Sequence, residues 1–229
     1  VFTVIADVSA AFLLVARGPQ PLGRWICVVL AAIALYWAGM ILNDVFDIDE
    51  DRQQRPKRPI PAGLISLSHA TTAGWSLLFV GVLLAMISGF VPGDGVASTW
   101  LPAAVATGLA VMIVAYDGPL KSTNAAPAAM GACRFLSFLL GAAPLLSISA
   151  DGPLFPRYVL GIAFGFGVYI MGVTTMARQE ATGGRADLLR IGAVIAAMGA
   201  MCLALAPRLA ERPMGWHMST LEVFPLMVG

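Results

Sequence analysis

Apolar residues in this chain gather into long runs separated by short polar breaks, and do not alternate. Seven runs stand out, at roughly 1–16, 25–42, 70–90, 99–116, 125–146, 157–177 and 188–206. Each approaches the ~20 residues that an α-helix needs to cross a bilayer core. Turn-forming groups punctuate them: Arg17-Gly18-Pro19, Val91-Pro92-Gly93, Asp117-Gly118-Pro119, Asp151-Gly152-Pro153 and Gly183-Gly184. The pattern predicts an all-α, polytopic transmembrane helical bundle. It has at least seven spans here and eight or nine in the complete chain. The tail carries Trp216 and the start of a further helix near Leu221. One domain is expected over 1–229, with both ends read as incomplete because the chain starts at an apolar Val1 and stops in an apolar fragment.

Composition agrees. Of 229 residues, 59% are hydrophobic, and mean hydropathy is +0.83, against about 45–50% apolar for a soluble domain. The net charge of +1 offers no basic field for nucleic acid. Cys27, Cys133 and Cys202 lie far apart in apolar runs, where a lone cysteine acts as a small hydrophobe. They form neither a disulfide framework nor a metal site. His69 and His217 are isolated, and His69 reads as a loop or helix-start residue. Asp7 is a carboxylate inside an apolar run, placed either in the bundle interior or at the membrane edge.

The breaks after the second, fourth and sixth runs hold eight basic residues, and the opposite face holds five, including Arg17 and Arg24. The excess predicts that the first face is cytoplasmic, in a cell inner membrane. Every conspicuous polar motif falls on that face.

The densest motif is NDVFDIDEDRQQRPKRPIPAG, from Asn43 to Gly63. Five of the chain's thirteen acidic residues lie between Asp44 and Asp51, and four of its fourteen basic residues lie between Arg52 and Arg58. Asn43, Asp47 and Asp51 are four apart, so a helix continuing from the second run would align them on one face, with Asp44 on the i, i+7 repeat with Asp51. Carboxylates stacked in this way repel one another and call for a cation. An all-oxygen set suits Mg²⁺, which commonly bridges to substrate phosphates. The following basic run, with Arg55 and Arg58, supplies charges for phosphate oxygens. Pro56, Pro59 and Pro61 stiffen the loop that Gly63 ends. A plain solvated loop at the membrane surface is the bland reading of the same charges.

The order N-D-x-x-D-x-x-x-D followed by K-R-P-x-P-x-G resembles the first aspartate-rich motif of the UbiA prenyltransferase superfamily. Tyr116 and Lys121, in YDGPLKST, are similar to the tyrosine and basic residue that follow the family's fourth helix. MGACRFLSFLLGA, Met130 to Ala142, places Arg134 in an apolar run, where an ionisable residue is costly and points to function. This segment resembles the EboC-type branch. The family's second aspartate-rich motif is not matched: TTMARQEATGGRADLLR, Thr174 to Arg190, has no Asp-x-x-x-Asp and offers Arg178 and Glu180 instead.

The resemblance implies a helical bundle around a central cavity and an intramembrane, Mg²⁺-dependent transfer of an isoprenoid chain from its diphosphate to an acceptor, aromatic or lipid. Asp47, Asp51, Arg178 and Glu180 are the implied catalytic set. Asn43, Asp44, Arg55, Arg58, Tyr116, Lys121 and Arg134 are the implied substrate-binding set, and Asn43, Asp47 and Asp51 hold the metal. Two readings of the altered second motif remain. Either Arg178 neutralises the diphosphate in place of a second metal, with Glu180 orienting it or helping to hold the Mg²⁺, or the second site has decayed. The second reading makes the chain a scaffold binding a lipid, quinone or pigment in a larger membrane complex. A CDP-alcohol phosphotransferase is set aside, because its D-G-x-x-A-R pattern fails after Asp117-Gly118.

Overall fold

The structure is a computed structural model that describes residues 2–147, 153–181 and 185–210. Among them every regular element is helical: α1 Phe2–Ala16, α2 Leu22–Phe46, α3 Ile48–Gln54, α4 Leu67–Phe90, α5 Leu101–Ala115, α6 Ala126–Ala142, α7 Arg157–Ala181 and α8 Ala186–Leu205. A π-turn, Tyr116–Leu120, extends α5, and 3₁₀ turns, Ala143–Leu145 and Ala206–Leu209, extend α6 and α8. The seven apolar runs correspond to α1, α2 and α4–α8. Six of these, with their extensions, are long and apolar enough to cross a membrane, whereas α1 is a shorter apolar helix. The tail around Trp216 and Leu221 lies outside the described residues.

Helix contacts divide the chain into two compact units. The first takes in the described residues up to Ala126 and those from Leu136 to 147. The second takes in Pro127–Phe135 and the described residues from Pro153 onward.

Small residues set the packing in the first unit. A Cβ on Gly74 of α4 would come within 2.7 Å of the Leu42 side chain of α2, and one on Gly81 within 2.7 Å of Leu35. The seven-residue spacing puts both glycines on one helix face, so α4 lies close along α2. Lipid tails are as apolar as leucine, so intimate van der Waals contact, and not exclusion of water, holds such helices together.

At the end of α2 remote from the acidic motif, Arg24 is 1% exposed. Its Nε donates to the Val91 carbonyl at 2.7 Å, Nη1 to Pro144 at 2.5 Å and Ala97 at 3.1 Å, and Nη2 to Val96 at 3.3 Å. These carbonyls come from the α4–α5 connection and the turn after α6, so one guanidinium gathers chain ends that no regular ladder joins. In the sequence Arg24 counted only as one of the basic residues on the outer face.

In the second unit, glycines again open the way for a helix pair. A Cβ on Gly172 of α7 would come within 2.6 Å of the Gly192 carbonyl oxygen of α8, and one on Gly165 within 2.8 Å of the Leu203 backbone nitrogen. A Cβ on Gly167 would likewise come within 2.9 Å of the Gly131 carbonyl oxygen of α6. These contacts give Gly165, Gly167 and Gly172 a role in close helix packing.

Candidate active site

The acidic motif begins inside α2 and leaves it with a single break. Asp47, at φ −86° and ψ 5°, is both the last cap of α2 and the first of α3. The hydrogen-bond ladder nonetheless continues across it. The Asp47 N–H donates to the Asn43 carbonyl at 3.0 Å, Asp51 to Asp47 at 2.8 Å, and Arg55 to Asp51 at 2.8 Å. The expected helical continuation is therefore present, and it stacks Asn43, Asp47, Asp51 and Arg55 turn upon turn. Asp49, Glu50 and Asp51 occupy the first turn of α3, where the exposed amide dipoles favour negative charge.

After α3 the chain folds back through a tight loop. The N–H groups of Leu64 and Ile65 both reach the Pro59 carbonyl, at 3.0 and 3.2 Å, and Ala62 reaches Arg58 at 2.9 Å. Gly63 has φ +75°, a left-handed value that costs glycine nothing. Ser66 then caps α4, its Oγ accepting from the His69 N–H at 3.2 Å, so His69 is a helix-start residue as the sequence suggested.

This loop returns Arg58 to the carboxylates. Its Nη1 donates to Asp51 at 2.8 Å and to Asp44 at 2.9 Å. Asp51 is 2% exposed and has Arg55 as a second, looser partner at 3.9 Å. The hydrogen bond it donates to Asp51, then the charges of Asp44, Asp51 and Asp47, push the Arg58 guanidinium above its ordinary pKa against an opposing desolvation. Arg52 and Asp49 pair at 3.2 Å, but both are well exposed, and such a pair contributes little.

The π-turn after α5 supplies the other side of the site. Lys121, just beyond it, forms an ion pair with Asp47. Asp117, inside the turn, accepts a 3.2 Å hydrogen bond from Asn43 Nδ2. The turn opens with Tyr116, which is half-buried. Asp117 was read in the sequence only as turn punctuation. The signal that would have found it is a carboxylate directly beside Tyr116 at the end of an apolar run.

Within the first unit, then, Asn43, Asp44, Asp47, Asp51, Arg55, Arg58 and Lys121 form one connected set. Tyr116 lies in the same unit, and the remaining predicted residues, Arg134, Arg178 and Glu180, belong to the second. Arg134 lies at the midpoint of α6, and Arg178 in the last turn of α7, both half-buried. Glu180 follows on α7, and its side chain lies outside the described residues.

Chemically, the first-unit set presents oxygen donors and basic side chains together. Among the described residues no three of His, Cys, Asp and Glu are gathered as an ion-binding group. Mg²⁺ does not require one: it keeps several waters and takes one or two carboxylates together with substrate phosphates. The donor chemistry therefore fits this ion.

Six apolar candidate spans and a charged cluster at the end of one of them define a multi-pass helical membrane protein. The profile of the UbiA prenyltransferase family matches residues 4–225, and the chain belongs to that family. It is 33% identical over 140 residues to digeranylgeranylglyceryl phosphate synthase of Methanoregula boonei, covering 58% of this chain and 46% of that protein. To the synthase of Methanobrevibacter smithii it is 37% identical over 99 residues, covering 42% and 33%. To that of Metallosphaera sedula it is 40% identical over 65 residues, covering 28% and 23%. The chain thus spans less than half the length of these curated relatives. A solved structure from work on the biosynthesis of digeranylgeranylglyceryl phosphate synthase in membranes superposes with a TM-score of 0.64. That match covers 90% of this chain and 70% of the other at 20% identity, a likeness of fold.

Proposed function

We propose that this chain is an intramembrane prenyltransferase that holds an isoprenoid diphosphate at the end of α2 and transfers its isoprenoid group to an acceptor. The observation that carries this reading is the interleaving of carboxylates with basic side chains: Asp44 and Asp51 on Arg58, and Asp47 on Lys121. A diphosphate and its counter-ion need both signs of charge in one place, beside an apolar region for the tail.

Asn43, Asp47 and Asp51 would hold Mg²⁺, which when bound draws charge from the diphosphate and eases its departure. Lys121, Arg58 and Arg55 donate to phosphate oxygens. Arg58 suits a bidentate contact, and Lys121 acts as a compact point charge. The bond between the allylic carbon and the diphosphate oxygen breaks, and its electron pair leaves with the diphosphate, where these fixed cations stabilise it. An electron pair of the acceptor forms the new bond to that carbon, and the acceptor's proton passes to water or to the released diphosphate.

The resemblance further assigns Arg178 to the diphosphate in place of a second ion, and Tyr116 and Arg134 to the substrate. The charged loops face the cytoplasm and the membrane is the cell inner membrane, as the basic excess suggests. The relatives are named for digeranylgeranylglyceryl phosphate, so a geranylgeranyl donor and a lipid acceptor built on glyceryl phosphate are the first pair to test. Labelled geranylgeranyl diphosphate should bind the purified protein with Mg²⁺ and be released by a chelator. Binding that ignores the chelator would remove Mg²⁺ from the account, and no binding of any isoprenoid diphosphate would favour the scaffold reading.

A further inference from the structure

We propose that Asp117 is a positioning residue of this site: it fixes the Asn43 carboxamide so that the amide oxygen is the end offered to the bound ion. The inference rests on the reading of the site given above. Asp117 is 6% exposed, in the π-turn that ends the apolar helix α5. A buried carboxylate is costly unless hydrogen bonds satisfy it, and Asp117 accepts from Asn43 Nδ2 at 3.2 Å.

The orientation follows from donor and acceptor roles. An ionised carboxylate only accepts, whereas a carboxamide has one donating and one accepting end. Asn43 must therefore turn its NH₂ toward Asp117, and its oxygen is left for another partner. Without Asp117 the amide could present either end, and an NH₂ group repels a cation.

Two further features bring the pair together. The π-turn Tyr116–Leu120 contains Pro119, which has no N–H to give, and widens the end of α5. Turns of this type concentrate at functional sites. It places Asp117 and Lys121, four apart, against Asn43 and Asp47, also four apart. Gly39 lies one turn before Asn43 on α2, and a Cβ there would stand 3.1 Å from Ile113 and 3.8 Å from the Asp117 carboxylate. Even a methyl group at position 39 would crowd the approach of α5 at this point.

The test uses Mn²⁺ as the probe, with inorganic pyrophosphate, read by electron paramagnetic resonance on the purified full chain. Asp117→Ala should weaken Mn²⁺ affinity by about 10- to 100-fold, as loss of an outer hydrogen-bond partner of a metal ligand does, and Asn43→Ala, which removes the ligand itself, by at least as much. The double variant should be no worse than Asn43→Ala alone, because Asp117 acts only through Asn43. Asp117→Asn, matched in size, can donate or accept and should show an intermediate loss; it is the variant to read if Asp117→Ala does not fold. Parent-like affinity in Asp117→Asn and Asp117→Ala, or losses that add in the double variant, would overturn the proposal. A parent that takes up no Mn²⁺ even with pyrophosphate would refute the underlying site, and this inference with it.

Discussion

Lys121 is ion-paired with Asp47 across 74 residues of chain, its side chain 33% exposed and that of Asp47 16%. The contact joins the π-turn after α5 to the junction of α2 and α3, the two segments that carry the charged motifs. In the proposed reaction Lys121 serves the diphosphate. Lys121→Met should therefore weaken binding of the isoprenoid diphosphate roughly tenfold to more than a hundredfold, the equivalent of one hydrogen bond to a charged group at about 1.5–3 kcal/mol. Lys121→Arg should retain part of it. A competition assay with labelled diphosphate measures both, and an unchanged affinity in Lys121→Met would remove Lys121 from the site.

Asp47 and Asp51 should differ in what they do to the fold. Repulsion among stacked carboxylates would make loss of either neutral or stabilising. Asp51, however, has a 3% exposed side chain and two arginine partners, with Arg58 34% exposed. Asp51→Asn should destabilise by about 1–2 kcal/mol, less than a fully buried pair because Arg58 is open to solvent. Asp47→Asn should cost about 0–1 kcal/mol. Both should abolish Mg²⁺-dependent binding of the diphosphate. Detergent unfolding curves of the two variants give the comparison, and equal stabilities would contradict the ion-pair geometry.

Arg24 should matter to stability and not to chemistry. Arg24→Met leaves the Val91, Val96, Ala97 and Pro144 carbonyls without their donor, and should cost about 2–4 kcal/mol. Arg24→Lys should recover part, since an ammonium cannot reach as many carbonyls in one plane. Resistance to unfolding in a denaturing detergent titration is the measure, alongside Mn²⁺ binding below the transition, which should match the parent.

The glycines separate into tight and open positions. Gly172→Ala should destabilise the α7–α8 pair by about 1–3 kcal/mol, because the new methyl group meets helix backbone that cannot turn aside. Gly108→Ala should be neutral or stabilising by up to about 1 kcal/mol, since the nearest atom stands 4.0 Å away. Thermal unfolding of the two variants should move in opposite directions or leave Gly108→Ala unchanged.

The sequence carried the helices and most of the first-unit site for physical reasons. Runs of apolar residues near 20 long have one outcome in a bilayer, and a four-residue spacing survives the break at Asp47 because the backbone ladder continues through it. The basic run was legible only in part: Arg55 and Arg58 were expected on phosphate oxygens, and that Arg58 joins Asp44 to Asp51 while Lys57 is exposed depends on how the proline loop folds back. Asp117 was hidden because Asp-Gly-Pro reads as a turn, and a π-turn has no sequence signature of its own. Arg24 was hidden because a basic residue at the edge of a span ordinarily anchors at the interface, and its carbonyl partners are set by tertiary structure alone.

The central claim, Mg²⁺-dependent transfer of an isoprenoid group, is tested most directly by incubating membranes containing the protein with labelled geranylgeranyl diphosphate and a glyceryl phosphate lipid acceptor, and following label into lipid. The account predicts transfer that stops on chelation, resumes with Mg²⁺ and is lost in Asp47→Asn. In Arg178→Ala it should fall roughly tenfold to more than a hundredfold, on the scale of a lost hydrogen bond to a charged group. Transfer that persists under chelator, or that survives Asp47→Asn, would contradict the account.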